Sequence, residues 1–381
     1  MANTLSEMID RYTEENRKTA RLGKGLLKLL PGLALTAVVA WLGIYSSEWI
    51  GQDLMGFPTS PISGIMMAIV VGLILGNIVT LPQILYPGIQ FSLKKILRLG
   101  IILLGIRLSI GDALSLGVLG IPVILICITG GLWLTSWLGR RLNLSARLCT
   151  LIAVGTSICG ASAIVAIGPA IDAEEEEITY AVANITIFGL VAMFLYPYLA
   201  HILFGHLPTV AGLFLGTAIH ETAQVAGAGL IYSQIYDAPR VLDAATVAKL
   251  VRNVFMAVVI PMMSFLYHRK PGAESKGRQV NAFNLFPKFI LGFLLMAVIR
   301  SIGDATFGMF DSLSWHELTG TIKSWAVNFL AVAMAGVGLG TSLKRTRGLG
   351  LKPFYVGFAA AVAVGMLSLA GVLAVRWLGL H

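Results

Sequence analysis

Apolar segments long enough to cross a bilayer recur along this chain, near residues 28–46, 61–81, 96–110, 118–138, 148–171, 178–204, 211–232, 246–267, 286–303, 324–342 and 354–378. A spanning helix needs about 20 apolar residues at 1.5 Å each, and inside hydrocarbon its backbone must satisfy its own hydrogen bonds. The expected fold is therefore all-α, a polytopic membrane protein of about eleven hydrophobic helices. Several segments are short or Gly-rich and need protein neighbours. Hydrophobic residues make up 56% of the chain and charged residues only 12%, far outside the soluble range. The net charge of +9 does not imply a nucleic-acid partner, because Lys and Arg sit in short loops between apolar segments. There is no Gly-x-x-x-x-Gly-Lys-Ser/Thr loop and no soluble domain of useful length, so ATP-driven transport by this chain alone has no basis.

Residues 1–28 are polar and basic, with Leu5, Met8, Ile9 and Tyr12 at helical spacing, which predicts a cytoplasmic amphipathic segment. A single transmembrane domain is expected over 29–381, with the run Leu26 to Tyr45 as a retained first span. Lys94/Lys95/Arg98, Arg140/Arg141/Arg147, Arg269/Lys270/Lys276/Arg278 and Lys344/Arg345/Arg347/Lys352 fall on alternate connections, which the positive-inside rule places in the cytoplasm. Asp53, Asp112, Asp304, Asp311 and Glu317 then lie outside, and the chain runs from an inner N-terminus to an outer C-terminus. Charge counting leaves open whether segments 148–171 and 211–232 both cross or both turn back, since either choice preserves parity.

Those two segments carry the chemistry. Gly216-Thr-Ala-Ile-His220-Glu221-Thr-Ala-Gln224-Val-Ala-Gly-Ala-Gly229 sets polar groups in the middle of an apolar run, and Glu221 lies about ten residues from either end. A carboxylate at that depth costs roughly 2.5 to 3.5 kcal/mol on insertion scales and asks for a function. Gly155-Thr-Ser-Ile-Cys-Gly-Ala-Ser-Ala-Ile-Val-Ala-Ile-Gly168 echoes it at an offset of 61 (216 − 155). Each is followed by a helix with a buried-type Asn, Asn184 and Asn253. Paired, Gly-interrupted polar segments point to a transporter's central site, although helices rich in small residues also resemble one another by chance. A second match at offset 231, Gly105–Ser109 with Gly336–Gly340, runs in opposite directions and suggests inverted-repeat elements around two broken or re-entrant helices. The two matches do not fit one simple duplication.

His220-Glu221-Thr-Ala-Gln224 resembles the zinc motif His-Glu-x-x-His, but Gln224 replaces the second His and the remaining histidines lie near segment ends. As a transport site the residues fit better: Glu221 can exchange a proton or hold a cation, and its neighbours can bind ligand or freed backbone. A structural His220–Glu221 pair joining helices is the alternative. Small donors and exposed amides around Gly155 and Gly160 suit an anion at half-helix N-termini, or close packing alone. Lys249 and Arg252 share a helix face one to two turns from the expected outer end, where they could grip an oxyanion or snorkel to the surface. Arg107 sits near an outer end with snorkelling as its default. The candidate substrate-binding residues are Thr156, Ser157, Cys159, Gly160, Ser162, Thr217, His220, Thr222, Gln224, Lys249, Arg252 and Asn253; Glu221, His220 and Asn184 are the candidate ion-coupling residues. The run Asp172 to Glu177 reads as a solvated helix start. Cys127, Cys149 and Cys159 lie in or beside apolar segments and imply no disulfide framework.

Gly155–Ile164, Ala218–Gly227 and Val247-Ala-Lys-Leu-Val-Arg-Asn253 resemble the signature stretches of the YeiH-like family of sulfate exporters, and the resemblance covers the chain from its second span onward. It implies a bacterial inner-membrane protein, distantly similar to the cation/proton antiporter and anion transporter superfamily with its inverted repeats and broken helices. Sulfate belongs to the resemblance; the residues alone say a small anion. The expected function is secondary active transport of a small anion, sulfate or an organosulfonate among them, coupled to a proton or sodium ion around a midplane site. A passive anion channel and an intramembrane metalloprotease are the alternatives. The expected partners are the substrate anion, the coupling ion and the lipid bilayer, with room for a homodimer; no enzymatic activity, cofactor or metal is expected.

Overall fold

The computed structural model describes residues 27–56, 60, 62–269, 285–306, 312–342 and 351–377. The amphipathic segment expected at 1–28 lies outside these apart from its last two residues, as do most of the basic loops after 269 and before 352.

Every described element is helical. In order they are α1 (Leu27–Leu54), α2 (Gly64–Ile78), α3 (Tyr86–Phe91, a π-helical turn Ser92–Ile96, and Leu97–Leu104), α4 (Ile110–Arg141), α5 (Ala146–Ser157), α6 (Ala161–Ile167), α7 (Glu175–Phe204), α8 (Pro208–Ala218), α9 (Thr222–Tyr236), α10 (Pro239–Val254), α11 (Met256–His268), α12 (Phe289–Thr306), α13 (Ser312–Gly340) and α14 (Leu351–Trp377). The fourteen helices reconcile with eleven apolar segments because three segments each divide in two: α5/α6, α8/α9 and α10/α11. Six of the helices are long and apolar enough to cross a membrane, and the pair α10–α11, bent by 40°, makes a seventh.

Helix starts follow local chemistry. Ser63, Ser109 and Ser145 each cap the following helix by accepting an amide hydrogen bond, at 3.2, 3.0 and 3.1 Å. Such a cap contributes about 1 kcal/mol. Glu174 caps α7 in a reciprocal box with Glu177, so the acidic run is a helix start, as its charge suggests.

Contacts between helix ends define two faces. On the near face, where α1 begins, Gly32 of α1 lies against Gly88 of α3, and Asn77 at the end of α2 donates to the Thr341 carbonyl after α13 at 2.8 Å. On the far face, Ser63 before α2 donates to Gln234 at the end of α9 at 2.7 Å, and the Ile110 amide donates to Ser301 of α12 at 2.8 Å. Arg107, expected to snorkel, instead pairs with Asp243 of α10 at 2.6 Å, both side chains largely shielded.

The same contacts show that neither polar segment crosses. Segment α5–α6 starts and finishes on the near face: Ser145 donates to Glu177 at 2.8 Å, Arg147 pairs with Glu174 at 3.3 Å, and the Ala170 carbonyl after α6 meets His268 at the end of α11. Segment α8–α9 starts and finishes on the far face, because Pro208 follows the end of α7 directly and His201 in the last turn of α7 stacks on Tyr236 and hydrogen-bonds Tyr232. They are re-entrant hairpins entering from opposite faces.

The helices sort into two groups. Helices α1, α2, α3, α12 and α13 pack mainly on one another, with α2 and α13 in backbone contact through Gly72, Gly76 and Gly338. Helices α4 to α11 and α14 form the second group, which holds both hairpins.

Candidate functional site

The hairpins meet tip to tip. In the first, α5 ends at Ser157 and α6 begins at Ala161, with Gly160 between them at φ +68°, ψ −130°. An L side chain rarely adopts that backbone conformation, and a Cβ at Gly160 would overlap the Glu221 side chain. In the second, α8 ends at Ala218 and α9 begins at Thr222, with extended Ile219 and Glu221 around the break. Each break frees carbonyls at the end of one half-helix and amides at the start of the next.

The carbonyl ends are served by two cations from α10. Lys249 donates to the carbonyls of Ile158 at 3.0 Å and Ile219 at 2.9 Å, and closely to that of His220. Arg252 donates from Nε to Ser157 at 2.9 Å, from Nη1 to Thr217 at 2.7 Å and from Nη2 to Thr156 at 2.8 Å. Each cation thus ties one hairpin to the other, and both are 0% exposed. Positive charge at a helix C-terminus is favourable, and here it sits on two such ends at once. Sequence reading put this pair near an outer helix end, whereas α10 extends back to Pro239 and buries its polar first half among protein neighbours, leaving the pair deep at the α10–α11 bend. Snorkelling is therefore overturned. The guanidinium expected to face an oxyanion is turned onto backbone carbonyls.

The amide ends converge on Glu221. Its Oε1 accepts from the Ala161 amide at 3.3 Å, and its carboxylate also accepts from the amide three residues on, in a capping box with Gln224. Thr186 of α7 sits beside this box, its carbonyl accepting from Gln224 at 3.1 Å. Asn253 donates to the Thr222 hydroxyl at 3.0 Å, while its Oδ1 is buried without a partner. Ala161, Glu221, Thr222 and Ala223 are partly open and Ser162 is exposed, in contrast to the carbonyl ends, where Thr156, Ser157 and Thr217 are buried.

Other candidates serve the frame. The Thr156 hydroxyl bonds back to Ile152, Thr217 meets Ser368 of α14 at 2.7 Å, and the Cys159 thiol lies 3.5 Å from the Met256 sulfur. His220, 1% exposed, bonds the Thr156 carbonyl at 3.1 Å and does not pair with Glu221. Among the described residues no three His, Cys, Asp or Glu side chains gather as metal ligands. Asn184 is the residue that stays apart. Two positions before Thr186, and so on the opposite side of α7, it donates to the Pro353 carbonyl of α14 at 2.9 Å, which corrects its expected place beside Glu221. Thr186 was missed because a lone Thr in an apolar helix carries no signal; its only hint was its position on the helix after the first polar segment.

Comparison with known proteins finds membrane proteins over most of the chain. Residues 31–357 match the family model described as Conserved hypothetical protein 698. A UPF0324 membrane protein of Corynebacterium glutamicum is 34% identical over 91% of this chain and 93% of its own length. The chain belongs to the UPF0324, or YeiH-like, membrane protein family. Within it, a Pseudomonas aeruginosa UPF0324 membrane protein is 31% identical over 90% of this chain and 93% of its own, and the inner membrane protein YeiH of Salmonella typhi is 32% identical over 87% and 89%. The family match spans both hairpins and α10.

Proposed function

We propose that this family member is a secondary active transporter of a small anion, with sulfate or an organosulfonate as leading substrates, coupled to a proton or sodium ion, and not an enzyme. The observation that carries the reading is the sorting of the four half-helix ends: carbonyl ends buried against Lys249 and Arg252, amide ends partly open around Glu221. Each helix end counts as about half a charge, so two carbonyl ends and two amide ends cancel. The side chains leave two cations against one carboxylate, an excess of one positive charge that an anion beside the amides of Ser162, Thr222 and Ala223 neutralises. A proton or sodium ion on Glu221 raises that excess, so anion and coupling ion each favour the other's binding.

The first hairpin with α7 and the second with α10–α11 form the two halves of an inverted repeat, since they enter from opposite faces and run in opposite directions. The near face is cytoplasmic, because Arg140, Arg141 and Arg147 lie on it, which puts the N-terminus inside and the C-terminus outside a bacterial inner membrane. Alternating access comes from movement of the hairpin group against the α1–α3, α12–α13 group.

A thermal-shift screen of sulfate, organosulfonates and carboxylates on purified protein tests the reading, because a ligand of the folded state raises its stability. Saturable uptake of the stabilising anion into proteoliposomes, driven by a pH or sodium gradient, is the expected result. Non-saturating flux that ignores both gradients would replace the transporter with a passive channel.

A further inference from the structure

Away from the hairpin tips, a cavity of about 680 Å³ opens between the near-face ends of α4, α5 and α11. Its α4 wall runs from Thr129 to Arg140, eleven residues or about 16 Å along the axis. That is close to the roughly 15 Å hydrocarbon depth of one leaflet. The cavity looks sideways into the bilayer, since Trp133 on its rim is 63% exposed and Leu266 opposite is 46% exposed. Its one charged group stands at one end. Arg140 lies one residue from the end of α4, and among the described residues its side chain has no hydrogen-bond or ion-pair partner, whereas Arg147 pairs with Glu174 and Arg141 lies over the Trp137 ring.

We propose that this cavity binds one anionic phospholipid of the near leaflet, with its phosphate on Arg140 and an acyl chain along the wall from Ser136 down to Thr129. The planar fork of Arg matches a phosphate diester and is weakly hydrated, which suits a cation at the interface without a protein carboxylate. Basic pockets between membrane helices are the sites where lipid head groups are held. The apolar length below Arg140 fits a chain and gives a soluble anion nothing to contact. The lipid would also touch Ala146, Cys149 and Thr150 of α5, so it braces the outer end of the first hairpin.

The test uses delipidated, detergent-purified full chain titrated with phosphatidylglycerol or with phosphatidylcholine of the same acyl chains, read by native mass spectrometry and thermal shift. One phosphatidylglycerol per chain is expected, at least tenfold tighter than phosphatidylcholine, with no thermal shift from inorganic phosphate. Arg140→Gln should weaken phosphatidylglycerol at least fivefold and leave phosphatidylcholine unchanged, while Arg141→Gln changes either by less than twofold. Ser136→Trp, or Met262→Trp on the opposite wall, should fill the space and weaken both lipids. Equal affinity for the two lipids, or Arg140→Gln binding phosphatidylglycerol within twofold of the parent, overturns the proposal. So does a dimer that the Trp variants dissociate without any change in lipid binding, because a second copy then fills the groove.

Discussion

The two hairpin tips face the same backbone problem and solve it differently. At the first, the residue before α6 is Gly160, which has no side chain to cap anything. At the second, the residue before α9 is Glu221, which caps its own helix and also accepts from Ala161 at the start of α6. One tip supplies a bare backbone and room; the other supplies the titratable group for both. The polar contacts of both amide ends thus rest on a single carboxylate, and the glycine leaves room for it.

Removing what the tips share should have the largest effect. Arg252→Met removes the guanidinium from three carbonyls of two hairpins; that of Thr156 keeps His220, and each of the others, left buried and unpaired, costs about 1–3 kcal/mol. Little monodisperse protein should survive size-exclusion chromatography; a normal peak with an unchanged melting temperature would mean that the hairpins hold each other without it. Arg252→Lys, keeping the charge but not the fork, should fall between.

Next comes the bare tip. Gly160→Ala imposes backbone strain of about 1–3 kcal/mol and crowds Glu221 as well. Gly56, at φ +72° with no atom of the described residues within 4 Å of where a Cβ would sit, is a control for positive-φ strain without the Glu221 contact. Equal melting-temperature losses for Gly56→Ala and Gly160→Ala would show that the Glu221 contact is unimportant.

At the charged tip the effect moves from stability to activity. Glu221→Gln keeps an acceptor for the cap, so stability should stay within about 1 kcal/mol while gradient-driven accumulation in proteoliposomes disappears. Normal accumulation by that variant would make the carboxylate purely structural.

The smallest effects separate the two asparagines. Asn253→Ala, beside Thr222, should lower transport about tenfold, a cost near 1.4 kcal/mol. Asn184→Ala should lose only its bond to the Pro353 carbonyl, about 1 kcal/mol of stability, with transport within twofold. The reverse ranking would return Asn184 to the ion site.

Segment lengths, the two glycine-broken polar stretches and the residues that gather at the tips were legible because hydropathy and polar intrusion are local properties. Whether a segment crosses or turns back was not, since two crossings and none leave the same loop charges. Only long-range contacts such as Ser145 with Glu177 and His201 with Tyr236 decide it. The role of Arg252 was misread for a related reason. A cation in an apolar helix looks free for a ligand until one sees carbonyls 95 residues earlier turned toward it.

That separation has a consequence for biosynthesis. The carbonyl end of α5 leaves the ribosome 95 residues before the guanidinium that satisfies it, roughly 5 to 20 seconds at ordinary elongation rates. Until α10 emerges, the Ser157 and Ile158 carbonyls of the first hairpin lack the cations that satisfy them in the fold. The hairpin must wait where water or the insertion machinery can hold it, so the core of this protein closes from its later half backwards.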